Sequence, residues 1–156
     1  MDIQVNYDYR EDDVRPIIDV ERLAQFVIER EDFPATTEVS INFVDNETIH
    51  ELNRDYRNID RPTDVLSFEC DGVDDDMPVP DGEEPFELGD IFVAPDIAEQ
   101  QCAQFGFSFA DELHLLVTHG LLHLCGYDHM QEDEAEVMEA RERELLGSYL
   151  GREFER

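Results

Sequence analysis

Apolar and polar residues alternate through Ile3, Val5 and Tyr7, the two-residue period of a half-buried strand. After Pro16 the period changes. Ile17, Val20, Leu23, Ala24, Val27 and Ile28 recur every three or four residues, which predicts a helix opened by the proline. Alternation returns at Val39, Ile41 and Phe43, and Asp45 then precedes Ile49, Leu52, Asn53 and Tyr56 as the cap of a second helix. The runs Asp64-Val65-Leu66-Ser67-Phe68 and Gly89-Asp90-Ile91-Phe92-Val93 predict two further strands, the first begun by the Pro62-Thr63 turn. Three helices follow. One spans Asp96 to Phe105 and stops at Gly106, and the next starts on a Ser108/Asp111 capping box and runs through Leu124. The last is amphipathic from about Glu132 to Leu146 and stops at Gly147.

The order β-α-β-α-β-β followed by three helices predicts an α+β fold, a single mixed β-sheet packed by helices. A chain of 156 residues suits one domain, 1–156, with one core. Residues from about 70 to 87 read as an acidic loop holding Asp74-Asp75-Asp76, three prolines and Glu83-Glu84. Its acids lack the alternating spacing and central glycine of a calcium loop.

Charge alters the picture. Forty-one Asp and Glu face eleven basic residues, all Arg, for a net charge of −30, a surface that repels nucleic acid and anionic membranes at long range. Two readings stand: a solubility or salt adaptation of the source, or docking on a basic partner. No run of about 18 apolar residues predicts a membrane span, and Met1-Asp2-Ile3-Gln4 does not read as a secretory leader. Cys70, Cys102 and Cys125 form no C-x-x-C pair, which fits a reducing cytoplasm.

The candidate chemistry lies in Thr118-His119-Gly120-Leu121-Leu122-His123-Leu124-Cys125-Gly126-Tyr127-Asp128-His129. His119 and His123 are four apart on the predicted helix, so both rings leave one face a turn apart. Gly126 can take a left-handed conformation where the chain leaves that helix, and the turn can return His129 to the same place. Three imidazoles with no fourth protein ligand describe a catalytic site for one ion, zinc or another divalent metal, completed by water. His114 points 140° or more around the helix from both, and it and His50 read as surface or packing residues. Cys125 reads as core, and Asp128 either orients a ligand or caps a turn. The spacing is that of metzincin proteases, but those place Glu after the first His as the base. Gly120 stands there, which disfavours peptide hydrolysis, although an ion alone can lower the pKa of a water toward ~7.

These residues resemble a known family. The segment His119 to His129 is similar to the H-G-x-L-H-L-x-G-Y-D-H signature of the YbeY endoribonucleases. Leu52-Asn53-Arg54-Asp55-Tyr56-Arg57, Pro62-Thr63-Asp64-Val65-Leu66-Ser67-Phe68 and Leu88-Gly89-Asp90-Ile91 resemble three further segments of that family in the same order. The resemblance implies a zincin-like fold, His119, His123 and His129 as zinc ligands, and Arg57 as a functionally required arginine. It also implies single-strand-specific, metal-dependent cleavage in ribosomal RNA processing, at the 3′ end of 16S rRNA. With it come ribosome maturation and quality control, a cytoplasmic setting, and ribosomal RNA and the small ribosomal subunit as partners. Neither a membrane nor an organic cofactor is expected. The family often has G-H-S where this chain has Gly106-Phe107-Ser108.

Read from chemistry alone, Arg57 can pair with two non-bridging phosphate oxygens as charge builds there, or can sit on a solvated face opposite Asp55 or Asp60. Arg54, Arg57 and Arg61 share a face if the helix persists. Thr63, Asp64 and Ser67 either line a groove or form a turn and strand start. Glu112, two turns before His119, is too distant for a base. Two rivals accompany the endoribonuclease: a metalloprotease or other zinc hydrolase, and a non-catalytic ribosome-assembly factor whose zinc holds the fold.

Overall fold

The computed structural model describes residues 1–70, 84–127 and 131–154. Its strands are β1 (Asp2–Tyr7), β2 (Thr37–Phe43), β3 (Val65–Glu69) and β4 (Phe86–Val93), joined in one sheet in the order β1-β2-β4-β3. β1, β2 and β4 run parallel, and β3 pairs antiparallel with β4 at the edge. The sheet is mixed, as the pattern predicts. The helices are α1 (Glu11–Val14), α2 (Val20–Arg30), α3 (Asn46–Arg57), α4 (Pro95–Phe105), α5 (Phe109–Leu124) and α6 (Glu132–Leu150).

α5 is the central helix. It contacts β3, β4, α2, α4 and α6, and Leu113, Leu116, Val117, Leu121, Leu122 and Leu124 are all buried. Burying each such side chain contributes about 1.5–3 kcal/mol, so this helix is the least displaceable element and a rigid carrier for what it bears. Its start is the predicted one, with Ser108 Oγ accepting from the Asp111 N–H at 3.0 Å. α3 likewise starts at Asp45, whose Oδ1 accepts from the Thr48 N–H at 2.8 Å.

Three boundaries differ from the sequence reading. Pro16 does not open α2. Asp19 does, its Oδ1 accepting from the Arg22 N–H at 3.1 Å, and Ile17 is left exposed. Pro16 instead lies just beyond α1, a short helix without apolar periodicity, which a residue lacking an N–H cannot extend. β4 begins at Phe86 rather than Gly89, its ring packed on Phe33 at 5.9 Å. α6 passes through Gly147 to Leu150 and ends at Gly151, φ 70°. Glycine costs a helix about 1 kcal/mol relative to alanine, and packing of Leu146, Tyr149 and Leu150 on the core outweighs that. Asp74, Asp75 and Asp76 of the acidic loop lie outside the described residues.

Candidate functional site

His119 and His123 project from the last turns of α5 into a groove of about 1460 Å³. Their Nε2 atoms stand 3.1 Å apart. Each ring is fixed from behind. His123 Nδ1 lies 3.0 Å from the Tyr127 carbonyl oxygen, which can only accept, so Nδ1 carries the hydrogen and Nε2 the lone pair. His119 Nδ1 lies 2.5 Å from Glu142 Oε1, and an ionised carboxylate imposes the same tautomer. With both rings neutral, the two Nε2 lone pairs face each other across this gap, an arrangement that a shared cation stabilises. Two nitrogens bound to one tetrahedral ion at ~2.0–2.1 Å stand roughly 3.4 Å apart, so this donor pair fits zinc.

Gly126 takes φ 107° and ends α5 as expected, with the Tyr127 N–H returning to the Leu122 carbonyl at 3.0 Å. Residues 128–130, Asp128 and His129 included, lie outside the described residues. Among the described residues no set of three His, Cys, Asp or Glu side chains is arranged to hold a metal. The structure therefore brings together two of the three histidines of the sequence reading.

Glu142 escaped that reading. Its carboxylate is buried on the face of α6 that also buries Met138, Leu145 and Leu146. The signal was available: a lone acid on an apolar helical stripe is a buried charge that needs a partner. Which partner it meets required the fold.

Gly120 has a structural reason of its own. A Cβ there would stand 2.9 Å from Ile91 Cγ2 and 3.2 Å from Ser67 Oγ, and Ser67 Oγ donates to the Gly120 carbonyl at 3.1 Å. Close approach of α5 to the sheet thus crowds the position where proteases carry their base, so that a side chain there would have to displace Ile91. A Gly120→Glu substitution would disturb this packing rather than restore a base.

Arg57 ends α3 and lines the same groove as the histidines. One Nη2 donates to the Ser67 carbonyl at 2.5 Å, and the guanidinium lies over the Phe68 ring at 5.2 Å. The nearby acids are engaged elsewhere, Asp55 with Arg54 at 3.0 Å and Asp60 with His50 at 2.7 Å. Among the described residues no carboxylate pairs with Arg57. The helix does not persist to Arg61, because Asn58 turns left-handed at φ 60°. Arg61 nonetheless lines the groove, and Arg54 does not. Buried Asn53 organises this turn: its carbonyl accepts from the Ile59 N–H at 3.2 Å, and its Nδ2 donates to the Arg61 carbonyl at 2.9 Å.

Thr63, Asp64 and Ser67 line the groove while serving the turn and strand start, so both readings of them hold. Glu112 is wholly buried and outside the groove lining. The Gln101 amide, with its nitrogen toward the carboxylates, links Glu112 Oε1 at 3.0 Å to Asp64 Oδ2 at 3.3 Å. His114 is buried with Nδ1 2.6 Å from the Ala110 carbonyl, a packing residue as read. Cys125 packs against the core, and burial pushes its thiol well above the usual range. Phe107, where the related family often has histidine, meets Phe154 edge-on at 5.5 Å.

Comparison with known proteins agrees along most of the chain. A family model described as endoribonuclease YbeY matches residues 4–150. Endoribonuclease YbeY of Bacillus velezensis is 44% identical over 132 residues, 84% of each chain, and that of Bacillus subtilis 42% identical over the same extent. That of Bacillus cereus is 47% identical over 117 residues, 74% of this chain and 75% of the relative. The solution structure of TM1509 from Thermotoga maritima superposes with a TM-score of 0.60 at 27% identity, covering 96% of this chain and 92% of that one. No helix among the described residues is long and apolar enough to cross a membrane.

Proposed function

The chain belongs to the YbeY endoribonuclease family, and on that premise we propose that it is a metal-dependent, single-strand-specific endoribonuclease of ribosomal RNA processing. Its substrate in this reading is the 3′ region of 16S rRNA on the maturing small subunit, in the cytoplasm. The observation that carries the reading is the meeting of Arg57 with the paired histidine nitrogens in one open groove.

In this proposal His119, His123 and His129 hold one zinc ion. When bound, zinc supplies Lewis acidity and lowers the pKa of a water toward ~7, the two things hydrolysis at neutral pH requires. The protein's own groups do the rest. Glu142 and the Tyr127 carbonyl hold the two Nδ1 hydrogens, so both Nε2 lone pairs face one point without reorganising. The Ser67 carbonyl and the Phe68 ring steady the Arg57 guanidinium, whose other N–H groups can meet the non-bridging oxygens of a phosphodiester. The protease rival loses ground to the packing at Gly120. The assembly-factor rival draws on the −30 charge, and turnover by the zinc-loaded protein would decide against it.

The test is cleavage of a single-stranded RNA by zinc-loaded protein beside a folded His119→Ala/His123→Ala variant. Elemental analysis should find about one ion in the first and none in the second, and cleavage should fall by at least ~1000-fold. Unchanged metal content in the variant overturns the ligand set. Peptide or ester turnover without RNA turnover overturns the substrate.

A further inference from the structure

Six large apolar side chains stand exposed among the described residues, and three of them, Tyr56, Ile59 and Val137, line this one groove. Scattered exposed apolar residues need no explanation, but a cluster around a reactive centre does. Tyr56 is the most exposed of the six, at 68%. Its ring is held edge-on against Phe68 at 5.5 Å and 69°, and Phe68 is held in turn against Phe92 at 5.8 Å. An aromatic face is thus presented to solvent on a braced support, one residue before Arg57.

We propose that Tyr56 is the stacking platform for an unpaired nucleobase of the RNA substrate. The proposal rests on the endoribonuclease reading and deepens it. Charge is what selects this occupant. Among the described groove-lining residues the only arginines or lysines are Arg57 and Arg61, while Asp64, Glu69, Asp133 and Glu134 line it as well, and the chain as a whole carries −30. Within that described lining, phosphate attraction is therefore concentrated at the two arginines. A base face is neutral, gains by stacking on an aromatic ring, and incurs no penalty from the acidic field. A base held by Tyr56 brings the adjoining phosphodiester toward Arg57 and the histidines in a chain that could not retain RNA by its electrostatic surface. Duplex RNA cannot offer such a face, so the platform also gives a physical reason for single-strand preference.

The experiment uses a labelled single-stranded RNA 12-mer and a set of the same oligomer with one abasic nucleotide at each position in turn. Equilibrium binding and single-turnover cleavage are measured for the wild type, Tyr56→Ala and Tyr56→Trp. Tyr56→Ala should weaken binding and raise KM by roughly 5- to 150-fold, leave kcat within about threefold, and leave the salt slope unaltered, because stacking releases no counterions. Tyr56→Trp should restore most of the affinity. At one position, abasic RNA should bind the wild type as weakly as intact RNA binds Tyr56→Ala, and the two losses should not add. Equal binding by all three proteins overturns the proposal, as does strict additivity at every position. A change of oligomeric state in Tyr56→Ala by sedimentation, without loss of RNA affinity, assigns the ring to a contact between copies and overturns it equally. Binding is measured without turnover. A wild type that stacks RNA but never cleaves it therefore sinks the nuclease reading and leaves the platform standing.

Discussion

The two walls of the groove are built on opposite physical terms. On the α5–α6 wall the working groups are fixed before any ligand arrives: two imidazoles on the most buried helix, with Nδ1 partners at 2.5 and 3.0 Å. On the α3–β3 wall they are exposed. Arg57 and Tyr56 sit at the exposed end of a helix that buries only Ile49 and Asn53, and an aromatic edge and one carbonyl hold them. A metal centre needs lone pairs aimed to within a fraction of an ångström, which desolvated hydrogen bonds provide. A flexible polyanion needs groups that are accessible and adjustable. The contrast predicts that damage to the first wall appears as lost metal, and damage to the second as lost substrate or rate with the metal retained.

Arg57 gives the largest expected effect on that contrast. Arg57→Ala should leave metal content and folding intact and lower the cleavage rate by roughly 30- to 1000-fold, the range for a charge-assisted contact stronger in the transition state, about 2–4 kcal/mol. Arg57→Lys should recover only part, because an ammonium lacks the planar paired donors and stacks less well on Phe68. Single-turnover rates at saturating RNA measure it. A wild-type rate in Arg57→Ala would reduce the arginine to a surface residue and remove the exposed wall from the chemistry.

How much of each wall could be read from the sequence follows from the same division. The histidine pair is a local pattern, four residues apart on a helix whose cap and apolar run are both visible, so its placement was legible. Arg57 was legible as a candidate, but its freedom from Asp55 and Asp60 was not, since those pairings depend on where Arg54 and His50 turn. The left-handed Asn58, which separates Arg61 from the helix face, has only a weak local signal. Glu142 lies 23 residues from His119, and only tertiary packing brings them together. Pro16 misled for a related reason. It favours a first helical turn in general, yet here Asp19 three residues later supplied the better cap.

A smaller effect belongs to Glu142 and sharpens the buried wall. Glu142→Gln keeps an acceptor for the His119 Nδ1 hydrogen but removes the charge, and Glu142→Ala removes that acceptor altogether. Zinc affinity, measured by competition with a chromogenic chelator, should fall by about 10-fold in the first and up to about 100-fold in the second. This readout does not depend on RNA cleavage, and RNA affinity of the zinc-free protein should not move. Zinc affinity equal to wild type in both variants would show that the carboxylate only fills space in α6.

The smallest effect sits at the far end of the exposed wall. Asp45 caps the helix that carries Tyr56 and Arg57, and the hydrogen bonds from Thr48, side chain and then backbone, hold its carboxyl below the usual range. The sign follows from that direction. A carboxyl that ionises more readily in the folded chain contributes stability fully above its unfolded pKa of about 3.9, and the contribution fades as pH falls through the lower folded value. Asp45→Ala should therefore cost about 0.5–2 kcal/mol at pH 7, a melting shift of roughly 1–8 °C for a chain of this size. The gap should narrow below about pH 4. Asp45→Asn keeps a capping oxygen without titrating, so its gap from wild type should be smaller and should shrink in the same acid range. Because α3 bears no histidine of the pair, zinc affinity should be unchanged in both variants while RNA affinity falls slightly. Thermal melts from pH 3.5 to 8, with zinc titrations alongside, test this. A melting gap that does not change with pH would mean the cap works through shape rather than charge, and a loss of zinc would mean the two walls are mechanically one.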